Sequence, residues 1–160
     1  AEKKGYPDPD LFYQRGLARI ALMQGREAYT DFDHAIGRNV APPMVWIAMM
    51  HRGMIGADIG DPALAVRDLE QAIPNVDDAR AARVALGLAY VRAGNPVKAK
   101  ELLTESLPQT PSPAAFYGRA LAFYTLKQKA DAQADIDAAL RLAPKNPRFE
   151  ELRDKIRALP

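Results

Sequence analysis

The sequence predicts an all-α chain built as a helical solenoid, and three observations carry that prediction. Apolar residues recur at helical spacing almost throughout, and alternating runs of the β type are absent. The 13 prolines fall between these periodic segments and never inside one, where a proline would cost a helix about 3 kcal/mol. The sequence also repeats itself with a period near 34 residues and two helices per period, the mark of stacked helix–turn–helix units.

The elements follow in chain order. Residues 1–8 read as a flexible N-terminal arm. Five X-Pro steps read as an N-cap followed by a first-turn proline: Asp8-Pro9, Asp61-Pro62, Asn95-Pro96, Ser112-Pro113 and Asn146-Pro147. Helices of 10 to 15 residues lie between such breaks. Four units result, at 9–42, 43–79, 80–112 and 113–146. Residues 9–42 slide over 113–146 without gaps: Phe12-Tyr13 meets Phe116-Tyr117, and Asp31-Phe32-Asp33 meets Asp135-Ile136-Asp137. Anchor alanines Ala28, Ala65, Ala99 and Ala132 stand 37, 34 and 33 residues apart. The second unit carries about three extra residues, read as a longer first helix starting at Pro43. Residues 147–160 read as a C-terminal capping helix whose Phe149, Leu152, Ile156 and Leu159 cover the last apolar surface.

Each unit pairs a small residue in its first helix with a large one in its second. The small set is Gly16, Gly53, Gly87 and Ala120; the large set is Phe32, Leu69, Leu103 and Ile136. Two helices approach closely only where side chains are small, and the large residues fill the remaining space. A second pairing changes between units. Units one, two and four carry Arg15, Arg52 and Arg119, each with an aspartate sixteen residues later: Asp31, Asp68 and Asp135. Unit three has Leu86 and Leu102 in both places. Positions that change together in this way are expected to touch, giving three Arg–Asp bridges and one apolar contact.

This pattern resembles the tetratricopeptide repeat, most clearly in unit three, where Leu86-Gly87, Tyr90, Gly94, Ala99, Leu103 and Pro111 stand at consensus places. The resemblance covers residues 9–146 and implies a right-handed solenoid whose first helices line a concave, peptide-holding surface. Carried over position by position, it implies a partner-binding groove at Tyr13, Leu17, Met50, His51, Met54, Leu88, Tyr117, Leu121 and Tyr124, on a face that also takes in Asp10, Gln14, Ile20, Ala21, Ile47, Asp58, Val84, Ala85, Val91, Arg92, Gly118 and Thr125. The family's two-carboxylate clamp needs Lys and Asn where this chain has Tyr13, Leu17, His51, Ala81 and Ala85, so a chaperone-tail adaptor of that type is not expected. The implied surface is apolar and rich in tyrosine and methionine, which suits a helix or hydrophobic strip.

Composition narrows the function classes. With 22 basic and 20 acidic residues the net charge is +2, and the arginines are interspersed with acids, so no nucleic-acid partner is expected. The absence of cysteine removes disulfides, zinc fingers and thiol nucleophiles. No run of about 20 apolar residues marks a membrane span. The start at Ala1-Glu2-Lys3-Lys4 fits a mature end left by a signal peptidase. It leans toward the bacterial periplasm or export, with the cytoplasm left open.

Catalytic groups are scarce. The acidic pairs Asp31/Asp33, Asp68/Glu70 and Asp135/Asp137 recur with the repeat, and residues two apart on a helix diverge. His34 reads as an exposed or interfacial residue. Met44–Met54 holds four of the five methionines beside His51. Thioether and imidazole suit Cu(I), but methionine is also a common gap-filler and adaptable contact residue. The expectation is a non-enzymatic scaffold with no cofactor and no metal. It would bind an apolar peptide or helix of a protein partner, in a bacterial envelope or secretion-type assembly. A homodimer or larger homo-oligomer with a self-occupied groove is the alternative, and copper handling by the Met/His segment is the third.

Overall fold

The computed structural model describes residues 8–160; apart from Asp8, the expected N-terminal arm lies outside the described residues. Among these there are nine α-helices and no strand. The helices are α1 (Pro9–Ala21), α2 (Gly25–Gly37), α3 (Met44–Ile59), α4 (Pro62–Ala72), α5 (Arg80–Arg92), α6 (Pro96–Ser106), α7 (Pro113–Thr125), α8 (Lys129–Leu142) and α9 (Pro147–Arg157). A short 3-10 turn, Ile73–Asn75, follows α4 and accommodates Pro74.

Proline sets the helix starts. α1, α4, α6, α7 and α9 each carry Pro in the first turn, where no N–H is needed. Asp8, Asp61, Ser112 and Asn146 cap these starts through their side chains. Asn95 corrects the expectation: its side chain makes no cap bond, and only its backbone carbonyl accepts, from Ala99. α3, the longer first helix expected of the second unit, begins directly behind Pro43 and runs for 16 residues. Nothing in its sequence breaks the helix before Gly60-Asp61-Pro62.

Two compact units divide the chain, Ala1–Asp77 and Asp78–Pro160. The first holds repeats one and two; the second holds repeats three and four with α9. In the first unit α1 packs on α2, α2 on α3, and α3 on α4. Its core gathers Phe12, Tyr13, Phe32 and Val40 around Ala28, Ala35 and Ala48. In the second unit α5 packs on α6, α6 on α7 and α7 on α8, with α9 laid against α8 and α7. Phe149, Leu152 and Ile156 of α9 join Ala120, Ala132, Ile136 and Ala139 in its core.

The small–large pairing has a direct geometric basis. Phe32, Leu69, Leu103 and Ile136 are all fully buried. A Cβ added at Gly16 would come within 2.8 Å of Phe32, at Gly53 within 2.7 Å of Leu69, and at Gly87 within 2.5 Å of Leu103. The glycines therefore set how closely the two helices of a repeat approach.

The arginine positions bind the same helices by charge. Arg15 Nη2 lies 2.6 Å from Asp31 Oδ1, Arg52 Nε 2.7 Å from Asp68 Oδ2, and Arg119 Nε 2.6 Å from Asp135 Oδ2. Arg19, one turn beyond Arg15, also reaches Asp31 at 2.6 Å. Burial pushes the Asp31 carboxyl up, but the bond and charge of Arg15, with Arg19 adding to them, hold it below the usual range. Two of these arginines also reach the preceding repeat. Arg52 Nη1 donates to Asp33 at 2.6 Å, and Arg119 Nη1 to the Thr104 hydroxyl at 3.3 Å.

Candidate functional site

The groove residues expected from the sequence fall into two sets, one in each compact unit. In the first unit Tyr13 is buried and its ring meets Phe32 edge-on at 6.5 Å, so it serves the core and shows little surface. Leu17, Met50, His51 and Met54 are half-buried. The His51 ring stacks on Phe32, with centroids 5.3 Å apart and planes 14° from parallel. Burial pushes its imidazole below the ordinary histidine range, so the neutral form prevails at neutral pH.

His51 and Met54 open onto a cleft of about 560 Å³. Ile20 of α1 and Gly25 and Arg26 of α2 form one wall; Ile55, Asp58 and Ile59 of α3 complete the other. This volume is in the range of small-ligand and peptide-side-chain sites. A second cleft of about 250 Å³ adjoins it, sharing Arg26 and Ile59 and adding Tyr29, Thr30 and Gly60.

The larger cleft goes with a difference in helix packing. In the second unit α5 and α7 pack directly on each other, whereas α1 and α3 make no comparable contact. Gly118 of α7 stands immediately before Arg119; its absent Cβ leaves room for Leu88 of α5, which would lie 3.2 Å from that atom. The same register position in α3, immediately before Arg52, is His51, and Leu17 occupies the place of Leu88. An imidazole thus stands in α3 where α7 has a hydrogen atom.

In the second unit Leu88, Tyr117, Leu121 and Tyr124 are half-buried. Tyr117 stacks on Phe149 of α9, with ring centroids 4.9 Å apart. Tyr117, Leu121 and Tyr124 line a small cleft of about 140 Å³ with Arg148, Glu151, Leu152 and Lys155 of α9. The last helix thus covers part of the surface that α7 would otherwise present.

The other sequence candidates resolve into structure. Asp31 is enclosed by Arg15 and Arg19, and Asp33 is held by Arg52. His34 is exposed and lies against the Phe12 ring at 5.2 Å. Among the described residues, no three His, Cys, Asp or Glu side chains gather as a metal set. No described helix is long and apolar enough to cross a membrane. Sequence reasoning missed Arg26, Ile55 and Ile59 as cleft residues; the contrast of His51 with Gly118 was the available signal.

The tetratricopeptide repeat family model matches residues 13–82, 57–112 and 84–147. The chain belongs to the tetratricopeptide repeat family. Solved structures agree on the fold. The TPR protein YrrB, which has what is described as an unusual peptide-binding site, superposes with a TM-score of 0.71 at 18% identity, over 91% of this chain and 74% of that one. MamA gives 0.68 at 18% identity, over 92% and 84%. A thermophilic TPR protein of Thermus thermophilus gives 0.63 at 16% identity, over 94% and 81%. No curated protein matches the sequence. Tetratricopeptide repeat proteins mediate protein–protein interactions and are typically non-enzymatic scaffolds.

Proposed function

We propose that this tetratricopeptide repeat chain is a non-enzymatic scaffold that holds an apolar helix or extended peptide of a partner protein against its first helices. The observation that carries this reading is the half-buried apolar surface at Leu17, Met50, Met54, Leu88, Leu121 and Tyr124. These residues are placed on α1, α3, α5 and α7 by the repeat register, and in the first unit the surface opens into the 560 Å³ cleft. Within each unit, clustered apolar surface of this kind marks an interface. The peptide-binding site of YrrB supports the reading as a precedent on the same fold.

The test is affinity capture with crosslinking, using wild type beside a Met50→Asp/Tyr124→Ser variant. Tyr117 is left intact because its stacking on Phe149 makes it part of the core. Far-UV circular dichroism should show unchanged helicity. Loss of a captured protein in the variant is the expected result. Equal capture by both baits would place the site elsewhere, and capture of the chain's own copies alone would favour a homo-oligomer, which light scattering over a concentration range would show.

A further inference from the structure

The cleft between α1 and α3 has a chemical character beyond being apolar. Its interior is aliphatic and thioether surface from Ile20, Met54, Ile55 and Ile59. Its lip is exposed. Six large hydrophobic residues are exposed among the described residues, and Leu22, Met23 and Ile59 are three of them. Leu22 and Met23 form the turn between Ile20 and Gly25, both of which line the cleft. Met23 is 93% exposed and sits at φ 58°. This left-handed position is filled by Gly94 in repeat three and Lys127 in repeat four. A methionine there loses the conformational ease of glycine and the solvation of lysine, so folding alone gives no reason for it.

Two charged side chains line the cleft, Arg26 and Asp58. Arg26 is exposed, and its guanidinium has no ion pair among the described residues. Asp58 already has an interaction partner. Arg19, on the preceding helix, is committed to Asp31 and to the Glu27 carbonyl. The cleft therefore offers an apolar trough with one available cation, complementary to an apolar ligand carrying a negative charge.

We propose that this cleft is the docking point for a partner segment in which aliphatic or aromatic side chains adjoin an Asp or Glu carboxylate. Arg26 pairs with the carboxylate, Met23 and Ile59 close over the apolar side chains, and His51 holds α1 away from α3 so that the trough stays open. The inference rests on the scaffold reading and specifies one end of its ligand.

A phage-displayed library of short random peptides, selected on the full chain, tests it. Selected peptides should place Leu, Ile, Phe or Met beside Asp or Glu. A synthetic copy of the strongest one is then titrated into variants by fluorescence anisotropy. Arg26→Glu should weaken binding about tenfold or more, the loss of one charge-assisted contact, and Arg26→Lys should retain most of it. His51→Ala, which lets the helices close, should weaken the same peptide with far-UV circular dichroism unchanged. Peptides without an acidic residue, or equal affinity for wild type and Arg26→Glu, would overturn the proposal. A peptide lost on Met50→Asp/Tyr124→Ser but indifferent to Arg26 and His51 would overturn it while leaving the scaffold reading intact. Selection of no peptide would overturn both.

Discussion

Replacing Arg52 by leucine removes three charged hydrogen bonds at once. Its Nε and Nη2 hold the two oxygens of Asp68 at 2.7 and 2.8 Å, and Nη1 holds Asp33 at 2.6 Å. The two acceptors differ in what they lose. The Asp33 side chain is 55% exposed and water takes over the vacated oxygen; that of Asp68 is 3% exposed and has no such recourse. Removing one partner of a buried pair costs about 3–5 kcal/mol, mostly the stranded charge, whereas replacing both by apolar groups is close to neutral. Repeat three displays the second outcome, with Leu86 and Leu102 in the same two places. Arg52→Leu should therefore lose about 3–5 kcal/mol of stability, and Arg52→Leu/Asp68→Leu should return to within about 1 kcal/mol of wild type. Urea denaturation followed by far-UV circular dichroism at neutral pH measures both. If the single variant costs under about 1 kcal/mol, the bridge behaves as a solvated surface pair and the reasoning fails. A double variant as unstable as the single one would fail it equally, by showing that the site tolerates only charge.

Three further outcomes follow from the same geometry. Gly87→Ala forces a methyl against the fully buried Leu103; overpacking of about 1–3 kcal/mol exceeds the gain in helix propensity of about 1 kcal/mol. Adding Leu103→Ile, which copies the Ala120 and Ile136 of repeat four, should recover stability in a double-mutant cycle by urea denaturation. Because burial lowers the imidazole of His51, the unfolded chain takes up that proton at a higher pH than the folded chain does. Stability should thus fall as pH drops below the ordinary histidine value of about 6.5, and His51→Ala should remove that component from thermal melts across pH. Met23→Gly relieves a left-handed φ of 58° and should raise stability by up to about 1 kcal/mol, while weakening the peptide selected on the cleft. Stabilisation without loss of that binding would show that the methionine has no part in docking.

Much of this structure is written at single positions that recur. The Gly16, Gly53 and Gly87 positions, with their large partners, specify the helix pairs because a missing Cβ has one geometric meaning between two helices. The joint exchange of Arg and Asp for Leu and Leu reads as contact because an unpaired charge is costly in either place. The capping face of α9 is legible through helical periodicity alone. The cleft is harder to see. It goes with His51 standing where repeat four has Gly118, a difference that matters only once α1 and α3 face each other. Arg26 and Ile59 enter the cleft from the ends of their helices, outside the face that the repeat register selects. The second bond of Asp31, from Arg19, was available from the one-turn spacing of Arg15 and Arg19. The silence of the Asn95 side chain was not, since an N-cap residue has the same identity whether or not its side chain turns inward.

The reach of Arg52 to Asp33, and of Arg119 to Thr104, makes the joint inside each compact unit a divided object. The donor travels with the later repeat and the acceptor with the earlier one, in both cases two residues beyond the position of Asp31 and Leu102. Repeats one and three therefore carry a socket on the second helix, and repeats two and four the matching plug on the first. Modules so equipped can be reordered by duplication and still find a mate: repeat four placed directly after repeat one would bring Arg119 to Asp33, trading a hydroxyl acceptor for a carboxylate.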